Sequence, residues 1–309
     1  MHAEQPAKPK LPKGRLIWIP FGLSLATLGA ILGISSYAAT HTTKATRVPI
    51  DGNPADLGLA YEDISFSSKD GLTLRGWWLK AVNSKRAIIM VHGANRHRAD
   101  PEVGMLDIAR ALVSHGYNIL TFDLRGHGQS DGKHVSAGYH ERKDLYGAIE
   151  YAKRQGATRI GAIGFSLGAA TAIMAAADCE EIDAVVADSS FADLADIIRS
   201  EFSKRSNIPL LFMPWILYIS KKLYSIDLSI LKPVDAVKQT TSTPLLVIHG
   251  GQDTTIPVKH AHMLAKASNN VGGRLWVVPE AKHVGSYIAR PREYLSEVIS
   301  FFDKVLSYK

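Results

Sequence analysis

The chain of 309 residues is 46% apolar and 21% charged, which is room for one large domain or two small ones and excludes a disordered chain. Most of its formal charge of +7 sits at the N-terminus: residues 1–50 hold six Lys and Arg against Glu4, leaving 30 basic and 28 acidic residues for the rest. The remainder is nearly neutral and lacks a basic stripe interleaved with aromatics, so nucleic-acid binding is not expected, and the single Cys179 excludes an internal disulfide and a cysteine zinc site.

In chain order, the first predicted element is Leu16 to Ala39, 24 residues without a charge, long enough to cross a hydrocarbon core of about 30 Å as one helix. A cleaved signal peptide has an apolar region of only about 7–15 residues, so the segment reads as an uncleaved transmembrane anchor. Lys8, Lys10, Lys13 and Arg15 precede it, against Lys44 and Arg47 after it, and the more basic flank stays cytoplasmic. This expects residues 1–15 to form a cytoplasmic tail, residues 16–39 to span the plasma membrane, and the domain that follows to lie outside the cytoplasm. Residues 40–57 are polar, carry Pro49, Gly52 and Pro54, and read as a linker. Removing the anchor is therefore expected to leave a soluble, independently folded domain over residues 58–309.

That domain opens with two β-rich runs, Asp63 to Ser67 and Leu72 to Leu79, around the turn signal Asp70-Gly71. Short apolar strands then alternate with helix-length segments. Strands are expected at 87–91, 118–122, 160–164, 184–187, 244–248 and 274–278, with helices near 105–115, 140–154, 167–177, 258–266 and 293–306. The alternation predicts a mostly parallel sheet of about eight strands with helices on both faces. The interval 189–232 is too long for one crossover and reads as a helical lid.

Gly164-Phe165-Ser166-Leu167-Gly168 lies between a predicted strand and a predicted helix, the setting in which G-x-S-x-G forms a nucleophile elbow. A serine hydroxyl needs a base to take its proton and a carboxylate to orient that base. Asp253 follows the strand ending at Ile248 and His283 follows the one ending at Val278, in the loops where α/β sheets collect their ligands. Asp188, after the preceding strand, is the competing acid. The backbone N–H groups of Leu167 and Ala94 are the candidate oxyanion donors, with Asn95 the alternative to Ala94. His92 is read as structural, and so is the glycine-rich run Asp123 to Ser130, which lacks a phosphate-loop pattern. No metal and no cofactor is expected.

These blocks, together with Val91-His92-Gly93, Gly138 with Glu141 and Asp144, and Ser286-Tyr287, resemble the α/β-hydrolase superfamily, in particular its membrane-anchored bacterial BEM46-like and serine aminopeptidase-like members. The resemblance covers about four-fifths of the chain and implies an α/β-hydrolase fold and acyl transfer to water. It leaves open an esterase or lipase, an exopeptidase, an acyltransferase, or a binding protein on a hydrolase fold. The expected partners are a small-molecule acyl substrate and the membrane, with oligomeric state undetermined. The apolar stretch Ile208 to Ile219 offers Phe212 and Trp215 as candidate acyl-chain contacts, the competing account being that the segment only packs the lid down.

Overall fold

A computed structural model describes residues 13–206, 208–240, 242–268 and 273–307, with only the backbone path described for 13–26 and 201–206. The strands are β1 (Glu62–Ser67), β2 (Thr73–Leu79), β3 (Arg86–Val91), β4 (Asn118–Phe122), β5 (Arg159–Phe165), β6 (Ala184–Asp188), β7 (Leu245–Gly250) and β8 (Arg274–Val278). They form one sheet in the order β1-β2-β4-β3-β5-β6-β7-β8. The pairs β1–β2 and β2–β4 are antiparallel and the rest are parallel. The helices are α1 (Lys13–Thr43), α2 (Met105–Ser114), α3 (Glu141–Arg154), α4 (Leu167–Asp178), α5 (Leu194–Ser206), α6 (Met213–Tyr224), α7 (Pro233–Gln239), α8 (Lys259–Ala267), α9 (Ser286–Ala289) and α10 (Pro291–Leu306).

Successive strand side chains point to opposite faces, so a strand covered on both sides must be apolar throughout. In β3, Ala87, Ile89 and Val91 join a core cluster with residues of α3, α4, α7 and α8, while Ile88 and Met90 join a second with α2 and α10. The predicted alternation of strand and helix is thus the two-layered burial of one parallel sheet, with the predicted ends displaced by one or two residues.

The lid carries α5 and α6. Its inner surface packs Ile226, Leu228 and Leu231 on Ala170 and Met174 of α4. Its outer surface meets α1, where Ala38 and Ala39 pack on Ile216 and Ile219, and Thr40 Oγ1 and the Tyr224 hydroxyl share a 2.6 Å hydrogen bond. Residues 40–57, expected as a linker, make specific bonds to the domain. Lys44 bridges to His134 in antiparallel fashion, and Arg47 donates to the carbonyls of His127, Gly128 and Gly132 at 3.1, 2.7 and 3.0 Å. A guanidinium satisfies three loop carbonyls that would otherwise face solvent, which draws the segment down as a strap.

Among the described residues, no helix is long and apolar enough to cross a membrane. The side chains of Leu16 to Ala26, the first part of the expected span, and the flanking Lys8 and Lys10 lie outside the described residues.

Because Ala38 and Ala39 pack on the lid and Thr40 bonds to Tyr224, deletion of residues 1–45 is expected to lower Tm. The loss of a few buried methyl groups and exposure of Ile216 and Ile219 cost roughly 2–4 kcal/mol, or about 4–8 °C in a domain of this size. Thermal melts of the full and truncated chains in the same detergent check this; equal Tm values would restore the independent domain expected from sequence.

Candidate active site

Ser166 joins the end of β5 to the start of α4 with φ 52° and ψ −112°, a left-handed backbone that costs a side-chain-bearing residue on the order of 1–3 kcal/mol. The flanking glycines permit it. A Cβ on Gly168 would stand 2.1 Å from the Val91 carbonyl oxygen, and one on Gly164 would stand 2.3 Å from the Gly168 carbonyl oxygen. Only bare backbone lets α4 approach β3 and β5 this closely, which is the physical content of the G-x-S-x-G pattern.

The structure brings Ser166, His283 and Asp253 together. Ser166 Oγ lies 3.0 Å from His283 Nε2, and His283 Nδ1 lies 2.7 Å from Asp253 Oδ2. A carboxylate accepts, so Nδ1 carries the proton and Nε2 presents its lone pair to the serine hydroxyl. Asp253 Oδ1 accepts from the N–H groups of Thr255 and Ile256 at 2.7 and 2.8 Å. Burial alone would push the Asp253 carboxyl up, but hydrogen bonds from His249 and His283 outweigh it and hold the group well below the usual carboxylate range. It is therefore a permanent anion at the pH where a serine needs a base.

Sequence reasoning assigned no role to His249. Its Nε2 donates to the Ile256 carbonyl at 2.8 Å and lies 3.3 Å from Asp253 Oδ2, the oxygen that His283 Nδ1 also meets, so it helps to hold the carboxylate in place. The signal was its position four residues before Asp253 at a strand end, but that spacing carries meaning only once the loop is seen to fold back.

Asp188 is fully buried beneath these residues. Its carboxyl accepts from Ser189 Oγ at 2.9 Å, and Ser189 Oγ accepts the Val284 N–H at 3.0 Å. Ser189 and Val284 have φ of 57° and 51°, and a β-branched residue in that region is a pronounced outlier. The strained loop that carries His283 is thus tied to β6 through one serine hydroxyl. Burial pushes Asp188 up to about 6, against the hydrogen bond from Ser189 and the charge of His249.

Leu167 is the first residue of α4, where backbone N–H groups point outward and the helix dipole favours negative charge. Ala94 lies on the loop after β3, beside Gly93, whose Cβ would stand 3.6 Å from the Ser166 Cβ. The alternative donor is removed by geometry, since the Asn95 N–H already donates to His127 Nε2 at 2.9 Å. A cleft of about 660 Å³ reaches Ala94 and Asn95 and is walled on its other side by the strap residues His41, Lys44, Thr46 and Arg47. Phe212 and Trp215 do not line it. Phe212 packs against the Ala38, Ala39, Ile216 and Ile219 cluster, and Trp215 stands 38% exposed on α6, because the apolar face of the lid is taken up by α1. Among the described residues, no group of three or more metal-ligating side chains converges.

The family model described as X-Pro dipeptidyl-peptidase (S15 family) matches residues 15–229, which include Ser166 but stop short of Asp253 and His283. The chain is 28% identical over 243 residues to the uncharacterized protein YqkD of Bacillus subtilis, covering 76% of this chain and 77% of that protein. It is 30% identical over 202 residues to human protein ABHD12B, covering 63% of this chain and 53% of that one. Among solved structures it is similar to the Pyrococcus furiosus esterase Pf2001, with a TM-score of 0.71 and 29% identity over 84% of this chain and 99% of the esterase. The fold is that of the α/β-hydrolases.

The two acids are expected to separate on mutation. Asp253→Asn should lower kcat on the order of 10⁴-fold through the wrong histidine tautomer, and Asp188→Asn far less. The unfolded chain ionises Asp188 near pH 4 and the folded chain near 6. In that window the folded state holds the extra proton, so stability falls as pH rises and is flat above it. Asp188→Asn should remove this slope, gaining on the order of 2–3 kcal/mol relative to the parent between pH 4 and 6, as measured by denaturant titration at each pH.

Proposed function

We propose, for a chain that belongs to the X-Pro dipeptidyl-peptidase (S15) family, that it is a serine hydrolase cleaving an ester or related acyl bond through an acyl-enzyme on Ser166. The observation that carries this reading is the unbroken run of hydrogen bonds from Ser166 through His283 to Asp253. Ser166 Oγ attacks the acyl carbonyl as its proton passes to His283 Nε2, and the fixed negative charge of Asp253 stabilises the imidazolium. The N–H groups of Leu167 and Ala94 receive the developing oxyanion. His283 then protonates the leaving group and later deprotonates the water that releases the acid.

Likeness to a protein named an esterase supports an ester substrate. The family description supports a second reading, cleavage of a peptide amide by the same residues, and acyl transfer to an alcohol is a third acceptor for the same intermediate. The cleft bounded by the strap adjoins Ala94, and the part of the substrate next to the scissile carbonyl occupies it in any of these.

We further propose that α1 attaches the enzyme to the plasma membrane with its catalytic domain on the outer side. Leu28, Leu32 and Ile34 are exposed on α1, an apolar surface that no part of the described chain covers, and the basic residues cluster before it. Full-length protein should stay with membranes after a high-salt wash, and Leu28→Lys with Leu32→Lys should release it. Sedimentation of both forms alike would remove the proposal.

Ser166→Ala is expected to abolish labelling by a fluorophosphonate probe and to lower turnover of an activated ester by about 10⁴-fold or more, with Tm unchanged. Retention of a tenth of the parent turnover would overturn the assignment. Parallel assay of esters of graded acyl length and of aminoacyl and X-Pro amides then separates the ester from the peptide reading by their kcat/KM values.

A further inference from the structure

Two buried histidines stand against the oxyanion loop, and the reaction described above uses neither. His92 Nδ1 lies 2.7 Å from the Gly93 carbonyl oxygen, which can only accept, so Nδ1 carries the proton. Nε2 is then bare, and it accepts the Leu124 N–H at 2.9 Å. By the same reasoning His127 Nδ1 donates to the Arg125 carbonyl at 2.9 Å, and its Nε2 accepts the Asn95 N–H at 2.9 Å. The rings meet edge to face with centroids 5.0 Å apart.

The bond from His92 has a geometric consequence for the residue after Gly93. The Gly93 carbonyl and the Ala94 N–H belong to one trans peptide plane and point in opposite directions, so fixing the oxygen fixes the direction of the N–H. The bond to His127 holds the next peptide at Asn95, whose φ of 57° would otherwise relax. We propose that His92 and His127 are positioning residues that aim the Ala94 N–H at the acyl oxygen by gripping the peptide groups on either side of it. This rests on reading Ser166 as the nucleophile and Ala94 as an oxyanion donor.

An imidazole serves here because it is at once a donor on one side and an acceptor on the other, provided it stays neutral. Burial keeps it so, pushing His92 well below the usual histidine range and lowering His127 as well. A protonated ring would turn a hydrogen toward the Leu124 or Asn95 N–H and break that side of the grip.

Amide side chains separate the two halves of each imidazole, since the Asn amide overlays Nδ1 and the Gln amide overlays Nε2. At position 92 the loop-facing bond is made by Nδ1, and at position 127 by Nε2. His92→Asn should therefore keep at least about tenfold more kcat than His92→Gln, while at position 127 the order reverses, with His127→Gln above His127→Asn. The losses in the weaker variants approach the ~10²–10³-fold cost of an oxyanion donor, with KM changed less than about threefold. The measurement is steady-state kcat and KM on an activated ester for the four variants, with thermal melts and fluorophosphonate labelling of each. The same order at both positions, or kcat that simply follows Tm, would overturn the proposal. Failure of the parent enzyme to label at Ser166 would instead overturn the nucleophile assignment beneath it.

Discussion

The site depends on one close approach of backbone to backbone, that of Gly168 to the end of β3. With the Val91 carbonyl oxygen 2.1 Å from where a side chain would begin, α4 sits directly over the sheet, and the residue before it is forced into a left-handed turn. That turn lifts Ser166 clear of both elements. It also sets the first N–H of α4 beside the loop after β3, so the placing of Ser166 and of the Leu167 and Ala94 N–H groups comes from a single steric arrangement. Ala169 and Ala170, fully buried, continue the small face that makes the approach possible.

Around this point the chain places groups that must not move. Asp253 is held by two backbone N–H groups and two imidazoles, and the His283 loop is held by a hydroxyl on a strained turn. Several residues near the chemistry hold positive φ, among them Asn95, Ser166, Ser189 and Val284. Such conformations persist only where surrounding bonds over-determine them, and here each is met by a specific hydrogen bond.

Much of this was legible in the chain. Buried parallel strands are short apolar runs, so β4 and β8 were read to the residue, and Ser166, Asp253 and His283, which the fold brings together, were singled out at strand ends. What escaped the reading were contacts between segments distant in sequence. His249 has meaning only beside a folded-back Asp253, and Arg47 only beside carbonyls some 80 residues away. The same limit explains the lid. Ile208 to Ile219 is apolar for a reason the sequence suggests, burial, but the surface that buries part of it belongs to α1, and periodicity cannot say which partner an apolar face will find. The polar strap read as a linker because its bonds are made by backbone and by single polar side chains such as Arg47 and Asp51, which leave no periodic pattern.

The separation between Ser166 and His283 in the chain has a consequence in time. The two side chains that share a hydrogen bond are 117 residues apart, and His283 follows β8, an edge strand synthesised well after β5 and α4. During synthesis the elbow can be complete, with its serine exposed at the head of α4, while no imidazole yet exists to take its proton. The nascent chain is then chemically an ordinary alcohol. On the proposed reading, reactivity arrives with the docking of β8, so a product truncated before it carries the geometry of the elbow and none of its activation.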